Sequence, residues 1–214
     1  MESTRVLLIR HGQSQGNAER RFGGHTQTPL SALGQRQAEA TARVLSVEPI
    51  TAIYASDLPR AVETAAPLAR LLNLEITETD AFRERSVGHM EGLTFEEAAQ
   101  KFPEEYAALL RRDFEHVLLG GESYRQVLDR AAQALDRAIA ENAGGTVAVF
   151  SHTGTIGILA LHLMGALDVP TLRPVWIDTA NCGIARIQLR ADNFVRINAL
   201  NDTRHLAAVP ESDK

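Results

Sequence analysis

The chain has 214 residues, 44% hydrophobic and 23% charged, with a formal net charge of −5. These proportions exclude a disordered or fibrous chain, and the negative balance argues against nucleic acid as a partner. One cysteine, Cys182, permits no intrachain disulfide, and without a membrane-length apolar run or a secretory leader pattern the expectation is a cytoplasmic protein with no membrane partner, one domain over 1–214, monomeric or homodimeric.

Val6-Leu7-Leu8-Ile9 suits a buried strand, and a polar, Gly-rich loop follows from Gly12 to Pro29. Over 31–47, Leu33, Gln37, Ala40, Val44 and Val47 recur at helical spacing, with Ser31 as N-cap. Residues 51–55 read as a second strand. Ser56 is expected to cap a helix reaching about Leu72, with Pro59 in its first turn. Alternation over 74–79 predicts a third strand. Thr94-Phe95-Glu96-Glu97 and Ser123-Tyr124-Arg125-Gln126 fit capping boxes. The second opens a helix with the stripe Tyr124, Val127, Leu128, Ala131, Leu135, Ala138 and Ile139, ended by Gly144-Gly145. A buried strand over 146–150 and a helix over 155–163 come next. Strand-like runs then lie near 175–178, 183–189 and 194–200. The polar tail beyond Asn201 is expected to fray. This alternation predicts a three-layer α/β/α sandwich with a mostly parallel central sheet. Segment 88–121 reads as a helical cap inserted over the active-site end.

Ligands of open α/β sheets sit beyond the carboxyl ends of the strands, and three strand ends here suit a phosphate: Arg10-His11-Gly12, Ser56 to Arg60, and Ser151-His152-Thr153-Gly154. The third strand runs into Arg83-Glu84-Arg85. Arginine's planar fork matches phosphoryl oxygens, which makes Arg10 and Arg60 clamp candidates. A neutral imidazole can attack phosphorus, and nearby cations would keep His11 unprotonated. His152 is expected to be charged and to donate to a phosphoryl oxygen. A carboxylic acid would protonate the departing oxygen; Glu84 ranks first, then Glu91, then Asp57. Taken singly these residues have plain readings: a structural histidine, an Asp57–Arg60 surface pair, a solvated loop glutamate. The set at three strand ends is what core packing does not explain.

The ordered motifs resemble the histidine phosphatase superfamily, also called phosphoglycerate-mutase-like. They are Leu8-Ile9-Arg10-His11-Gly12-Gln13-Ser14 with Asn17; Phe22-Gly23-Gly24 leading to Pro29-Leu30-Ser31 and Gly34; Ala55-Ser56-Asp57-Leu58 with Arg60-Ala61 and Glu63-Thr64-Ala65; Arg83-Glu84 with Gly88 and Glu91-Gly92; Gly120-Gly121-Glu122-Ser123; and Val149-Phe150-Ser151-His152. Together they cover about 5–160. The resemblance implies a phosphomonoester hydrolase acting on small phosphorylated metabolites. His11 would be the phosphorylated nucleophile and Glu84 the proton donor, with Arg10, Arg60 and His152 binding the phosphoryl group. Asn17, Gly23 and Gly24 would help line the substrate pocket, and Thr153 joins them as a substrate-binding candidate. It also implies no metal and no organic cofactor, and no His-Glu-x-x-His spacing offers a competing metal site.

Mutases of the family carry a Gly-Leu-Asn-Lys-type segment after the acid, where this chain has Gly92-Leu93-Thr94-Phe95-Glu96-Glu97. They also tend to have Gly-Asn after the second histidine, where this chain has Thr153-Gly154. Both departures favour a phosphatase over a phosphoglycerate mutase. Arg111-Arg112 could hold a second anion, although a solvated helix face is the better reading. Gly12-Gln13-Ser14-Gln15-Gly16 also fits a serine nucleophile elbow, but that reading leaves Arg10, Arg60 and Glu84 unexplained. A non-catalytic phosphate-binding module would be expected to have lost one of these groups.

Overall fold

The computed structural model describes residues 3–167 and 175–210. In chain order its elements are β1 (Ser3–Arg10), α1 (Gln15–Ala18), α2 (Ala32–Leu45), β2 (Ala52–Ser56), α3 (Pro59–Leu72), β3 (Ile76–Thr79), α4 (Phe95–Lys101), α5 (Pro103–Arg111), α6 (Tyr124–Glu141), β4 (Thr146–Ser151), α7 (Thr153–Leu163), β5 (Ile184–Arg190) and β6 (Val195–Asp202). The uninterrupted apolar run of β1 has a simple cause: the strand is covered on both faces. Successive side chains of a strand point to opposite sides. Val6 and Leu8 pack with Ala131 and Leu135 of α6 and Ile156 and Leu159 of α7. Leu7 and Ile9 pack with Ala42 and Leu45 of α2 and Ala65 and Leu68 of α3. These are the two outer layers of an α/β/α sandwich.

The sheet order is β3-β2-β4-β1-β5-β6. Its first four strands run parallel, and β5 and β6 are antiparallel additions at one edge. Both capping boxes form as read, at Thr94/Glu97 and Ser123/Gln126, and Ser31 caps α2. Segment 88–121 holds α4 and α5, which close a small core of Val87, Met90, Ala98 and Leu118 over Phe22.

Five expectations need correction. Ser56 is not a cap: it is the last residue of β2, and Leu58 stands at the N-cap of α3 with Pro59 as first helical residue. Helix α2 stops at Leu45, which leaves Val47 outside it and 83% exposed. The third strand begins only at Ile76, because Asn73 leaves α3 in the left-handed conformation at φ 52°. Residues 175–178 form no strand; Trp176 instead packs at a tilt against Tyr124, with ring centroids 4.9 Å apart. The chain from Asp202 to Pro210 is docked, with Thr41 Oγ1 of α2 3.1 Å from His205 Nε2 and Arg36 donating to the Pro210 carbonyl, while the rest of the tail expected to fray, 211–214, lies outside the described residues.

Candidate active site

Parallel pairing of β1 with β4 and of β4 with β2 aligns Arg10 with Ser151 and Phe150 with Ala55. The residues that leave these strands therefore emerge on one rim. A cavity of about 290 Å³ opens there. Nine of the residues singled out from the sequence line it: Arg10, His11, Asn17, Gly23, Gly24, Arg60, Glu84, His152 and Thr153. Of the three carboxyl candidates, only Glu84 does so. Glu91 accepts from Ser86 Oγ and the His25 amide, and Asp57 pairs with Arg83, not with Arg60.

His11 is 4% exposed. Its Nδ1 lies 2.6 Å from the Gly12 carbonyl oxygen, which can only accept, so Nδ1 carries the proton and Nε2 keeps its lone pair. Burial, then the Arg60 and Arg10 guanidiniums, hold the ring well below the usual histidine range. The imidazole is neutral at physiological pH, as a nucleophile requires.

Arg60 rises from the first turn of α3 and is 2% exposed. Its Nη1 and Nη2 donate to the carbonyls of Thr26 and Gly24, each at 2.8 Å, and its Nε donates to His152 Nδ1 at 3.3 Å. Burial pushes its pKa down to about 10, which still leaves it a cation. Gly24 makes this clasp possible: it sits at φ 47°, and a β-carbon there would fall 2.3 Å from Glu91 Oε1. Arg10 donates through Nη1 to the Thr179 carbonyl, while its Nε is buried with no hydrogen-bond partner among the described residues.

His152 departs from expectation. Its Nδ1 accepts from Arg60, so its proton is on Nε2, which donates to Ser56 Oγ at 2.9 Å. Burial first, then Arg60, His11 and Arg10, keep its pKa well below the ordinary value. The ring is neutral as the site stands, since a third cation beside two buried guanidiniums would be poorly solvated.

The Glu84 carboxylate, from the segment after β3, lies against the N-terminus of α7. Oε2 accepts from the Gly154 amide at 3.0 Å, and Oε1 from the Arg85 and Thr155 amides at 2.9 and 3.2 Å. Asn17 Oδ1 accepts from the Ser14 amide and from Asn181 Nδ2, leaving its own Nδ2 as the donor it offers the cavity. Ser14 Oγ in turn accepts from the Asn17 amide and caps α1, an ordinary structural use of the hydroxyl in the Gly-x-Ser-x-Gly match.

Sequence reading missed several residues at this site. Asn181 donates to both His11 O and Asn17 Oδ1. Thr64 Oγ1 accepts the Gly12 amide. At the outer end, Arg85 is 3% exposed, stacks 4.1 Å from the Tyr124 ring centroid, and has Nη1 buried with no partner among the described residues. Arg112 ends α5 at φ 55°, lies over Trp176 and donates to the Tyr124 hydroxyl at 3.1 Å. It therefore lines the cavity instead of a solvated helix face, whereas Arg111 is exposed. Arginine spacing flagged the pair; only the bend after α5 separates the two.

Residues 6–203 match the Histidine phosphatase superfamily (branch 1). A metal-independent phosphoserine phosphatase of Arabidopsis thaliana is 33% identical over 213 residues, covering 97% of this chain and 85% of the relative. A bifunctional protein of Mycobacterium tuberculosis is 37% identical over 206 residues, covering 95% of this chain; the chain spans only 55% of that relative's length. A mycobacterial glucosyl-3-phosphoglycerate phosphatase solved with VO3 superposes with a TM-score of 0.82 at 28% identity, covering 93% of this chain and 99% of that one.

Proposed function

The chain belongs to the histidine phosphatase superfamily, and from that premise we propose that it hydrolyses small phosphomonoesters through a phosphohistidine at His11. The observation that carries the reading is the neutral His11 with its Nε2 lone pair free, set beside two buried arginines in one cavity. Nε2 attacks phosphorus, the ester P–O bond breaks, and Glu84 gives its proton to the departing oxygen. Arg10 and Arg60 hold phosphoryl oxygens, where charge is spread in the transition state; His152 joins them as a donor when the arriving anion favours a proton on its Nδ1 in place of the Arg60 Nε contact. Glu84, now a carboxylate among backbone N–H groups, takes a proton from the water that attacks the phosphohistidine and releases inorganic phosphate.

Two guanidiniums supply the positive charge that a metal would otherwise bring, so the reaction is proposed to need neither metal nor organic cofactor. Among the described residues no helix is long and apolar enough to cross a membrane, and a cytoplasmic enzyme acting on small metabolites fits this reading. Arg85 and Arg112 at the outer end favour substrates with a second anionic group. Phosphoserine and glucosyl-3-phosphoglycerate, named in two relatives that are phosphatases, each carry a carboxylate beside the phosphate. A mutase is disfavoured, because Glu97, near where the mutases carry lysine, closes the capping box of α4.

His11→Ala is expected to abolish turnover of an aryl phosphate, and denaturing wild type in alkaline detergent is expected to trap an acid-labile, alkali-stable phosphoenzyme at His11. Unchanged hydrolysis in the variant would sink the nucleophile assignment. Activity lost in a chelator and restored by a divalent ion would contradict metal independence.

A further inference from the structure

The loop that clasps Arg60 has one side chain that the mechanism does not use. His25 sits between Gly24 and Thr26, whose carbonyls accept from Arg60. Its amide is fixed to Glu91 Oε1 at 3.1 Å. Its ring turns the other way and donates from Nε2 to the Glu84 carbonyl oxygen at 2.9 Å, with Glu122 Oε2 at 3.5 Å. Arg130 of α6 reaches the same carbonyl at 3.0 Å and binds Glu122 through two nitrogens. The Glu84 peptide is thus pinned from two sides, and among the described residues only His25 ties it to the phosphate-clasping loop.

We infer that His25 is a positioning residue for the proton donor: by holding the Glu84 backbone to the Arg60 loop, it sets the reach of the Glu84 carboxyl to the leaving oxygen. The inference rests on the proposed hydrolase reading and extends it to a residue outside the motifs quoted for the family. The charges around the ring support the donor role. Glu122 raises the His25 pKa against the opposing effect of burial, and Glu91 adds to it. Burial works against the charge on Glu122, yet His25, Arg130 and the Ser86 amide outweigh it and pull that carboxyl down to about 2. Asp57, also near His25, is taken up by Arg83.

Misplacing a reacting group by about 1 Å costs on the order of a hundredfold, and here the loss should depend on the substrate. A nitrophenolate leaves without a proton, whereas an alkoxide does not. The test compares kcat on p-nitrophenyl phosphate and on glycerol 2-phosphate for wild type, His25→Phe and His25→Gln. The Phe ring fills the space without an N–H; the Gln amide presents a neutral N–H near the position of Nε2. Expected for His25→Phe is a loss of about tenfold or more on glycerol 2-phosphate, with nitrophenyl turnover within about twofold of wild type. His25→Gln is expected to recover most of the loss. Should the Phe variant fail to fold by circular dichroism, His25→Asn, too short to reach, is expected to give the same split. Equal losses on both substrates, or full alkyl activity without the N–H, would overturn the inference. A wild-type protein that forms no phosphoenzyme would instead sink the underlying hydrolase reading.

Discussion

The Glu84 carboxylate occupies the space where a side chain at position 154 would stand: a β-carbon on Gly154 would fall 2.5 Å from Glu84 Oε1, and the Gly154 amide donates to Oε2 at 3.0 Å. The glycine that follows Thr153 therefore has a specific reason to be there. Gly154→Ala is expected to fold, because the atom it meets is the end of a flexible side chain, but to displace the carboxyl from the cavity. The expected result is a loss of about tenfold or more in alkyl-phosphate hydrolysis with an unchanged circular dichroism spectrum. Retained activity would show that the carboxyl works from another position.

Glu84→Gln keeps the shape of the side chain and removes its acid function. General acids contribute about 10²–10⁴-fold where the leaving group needs a proton. A loss in that range is expected on alkyl phosphates, and a much smaller one on p-nitrophenyl phosphate. Steady-state kinetics on the two substrates checks this; equal losses would count against Glu84 as the donor.

The buried histidines set a pH dependence with a definite sign. His11 and His152 are held neutral when folded, by burial first and then by Arg60; in the unfolded chain they titrate near the ordinary value of about 6.5. Below that pH the unfolded state binds more protons, so their contribution is complete above about 6.5 and declines as the solution is acidified. Glu122, its carboxyl at about 2, adds a second loss as pH falls from about 4.5. His25 acts in the opposite sense: its raised pKa stabilises at low pH and is lost as pH rises through its folded value. The melting temperature is expected to fall between about pH 6.5 and pH 4, and the acid limb of kcat/KM should not report protonation of His11 near 6.5. A flat melting profile across that window would refute the assignment of two neutral histidines.

What the sequence made legible was whatever depends on local pattern. Val6 to Ile9 read as a buried strand because parallel sheets are covered on both faces. The capping boxes at Thr94 and Ser123 read correctly because both partners lie within one turn. The clamp and nucleophile candidates were visible as residue types at strand ends, and register brought them together. Ser56 was misread because a serine ahead of Pro59 looks like a cap; its hydroxyl instead serves His152 from 96 positions away. The protonation of His152 was misjudged for a related reason: the arginines were in the sequence, but complete burial was not. Asn181 had no local signal, and Arg85 and Tyr124 read only as a neighbour of Glu84 and as part of a helix stripe, since their roles in the cavity arise only where distant segments meet.

The outer end of the cavity bears on substrate choice. Arg85 has one buried N–H without a partner among the described residues, and Arg112 reaches the same cavity wall through the Tyr124 hydroxyl. Arg112 pairs with Asp178, 3.4 Å away with its side chain 78% exposed, so solvent screens much of that pair. A carboxylate or second phosphate on the substrate would meet both guanidiniums, and a hydrogen bond to a charged group is worth about 1.5–3 kcal/mol. Arg112→Met, which keeps the apolar stem over Trp176, is expected to raise KM for phosphoserine about tenfold or more while leaving phenyl phosphate within about twofold. Arg85→Met should act in the same direction with an added loss of stability, because its Nε and Nη2 also hold the carbonyls of Glu122 and His116. If Arg112→Met leaves the KM ratio of the two substrates unchanged, the outer arginines do not read a second anion, and the specificity of the enzyme must be sought along the apolar wall of Phe22, Phe95 and Leu109.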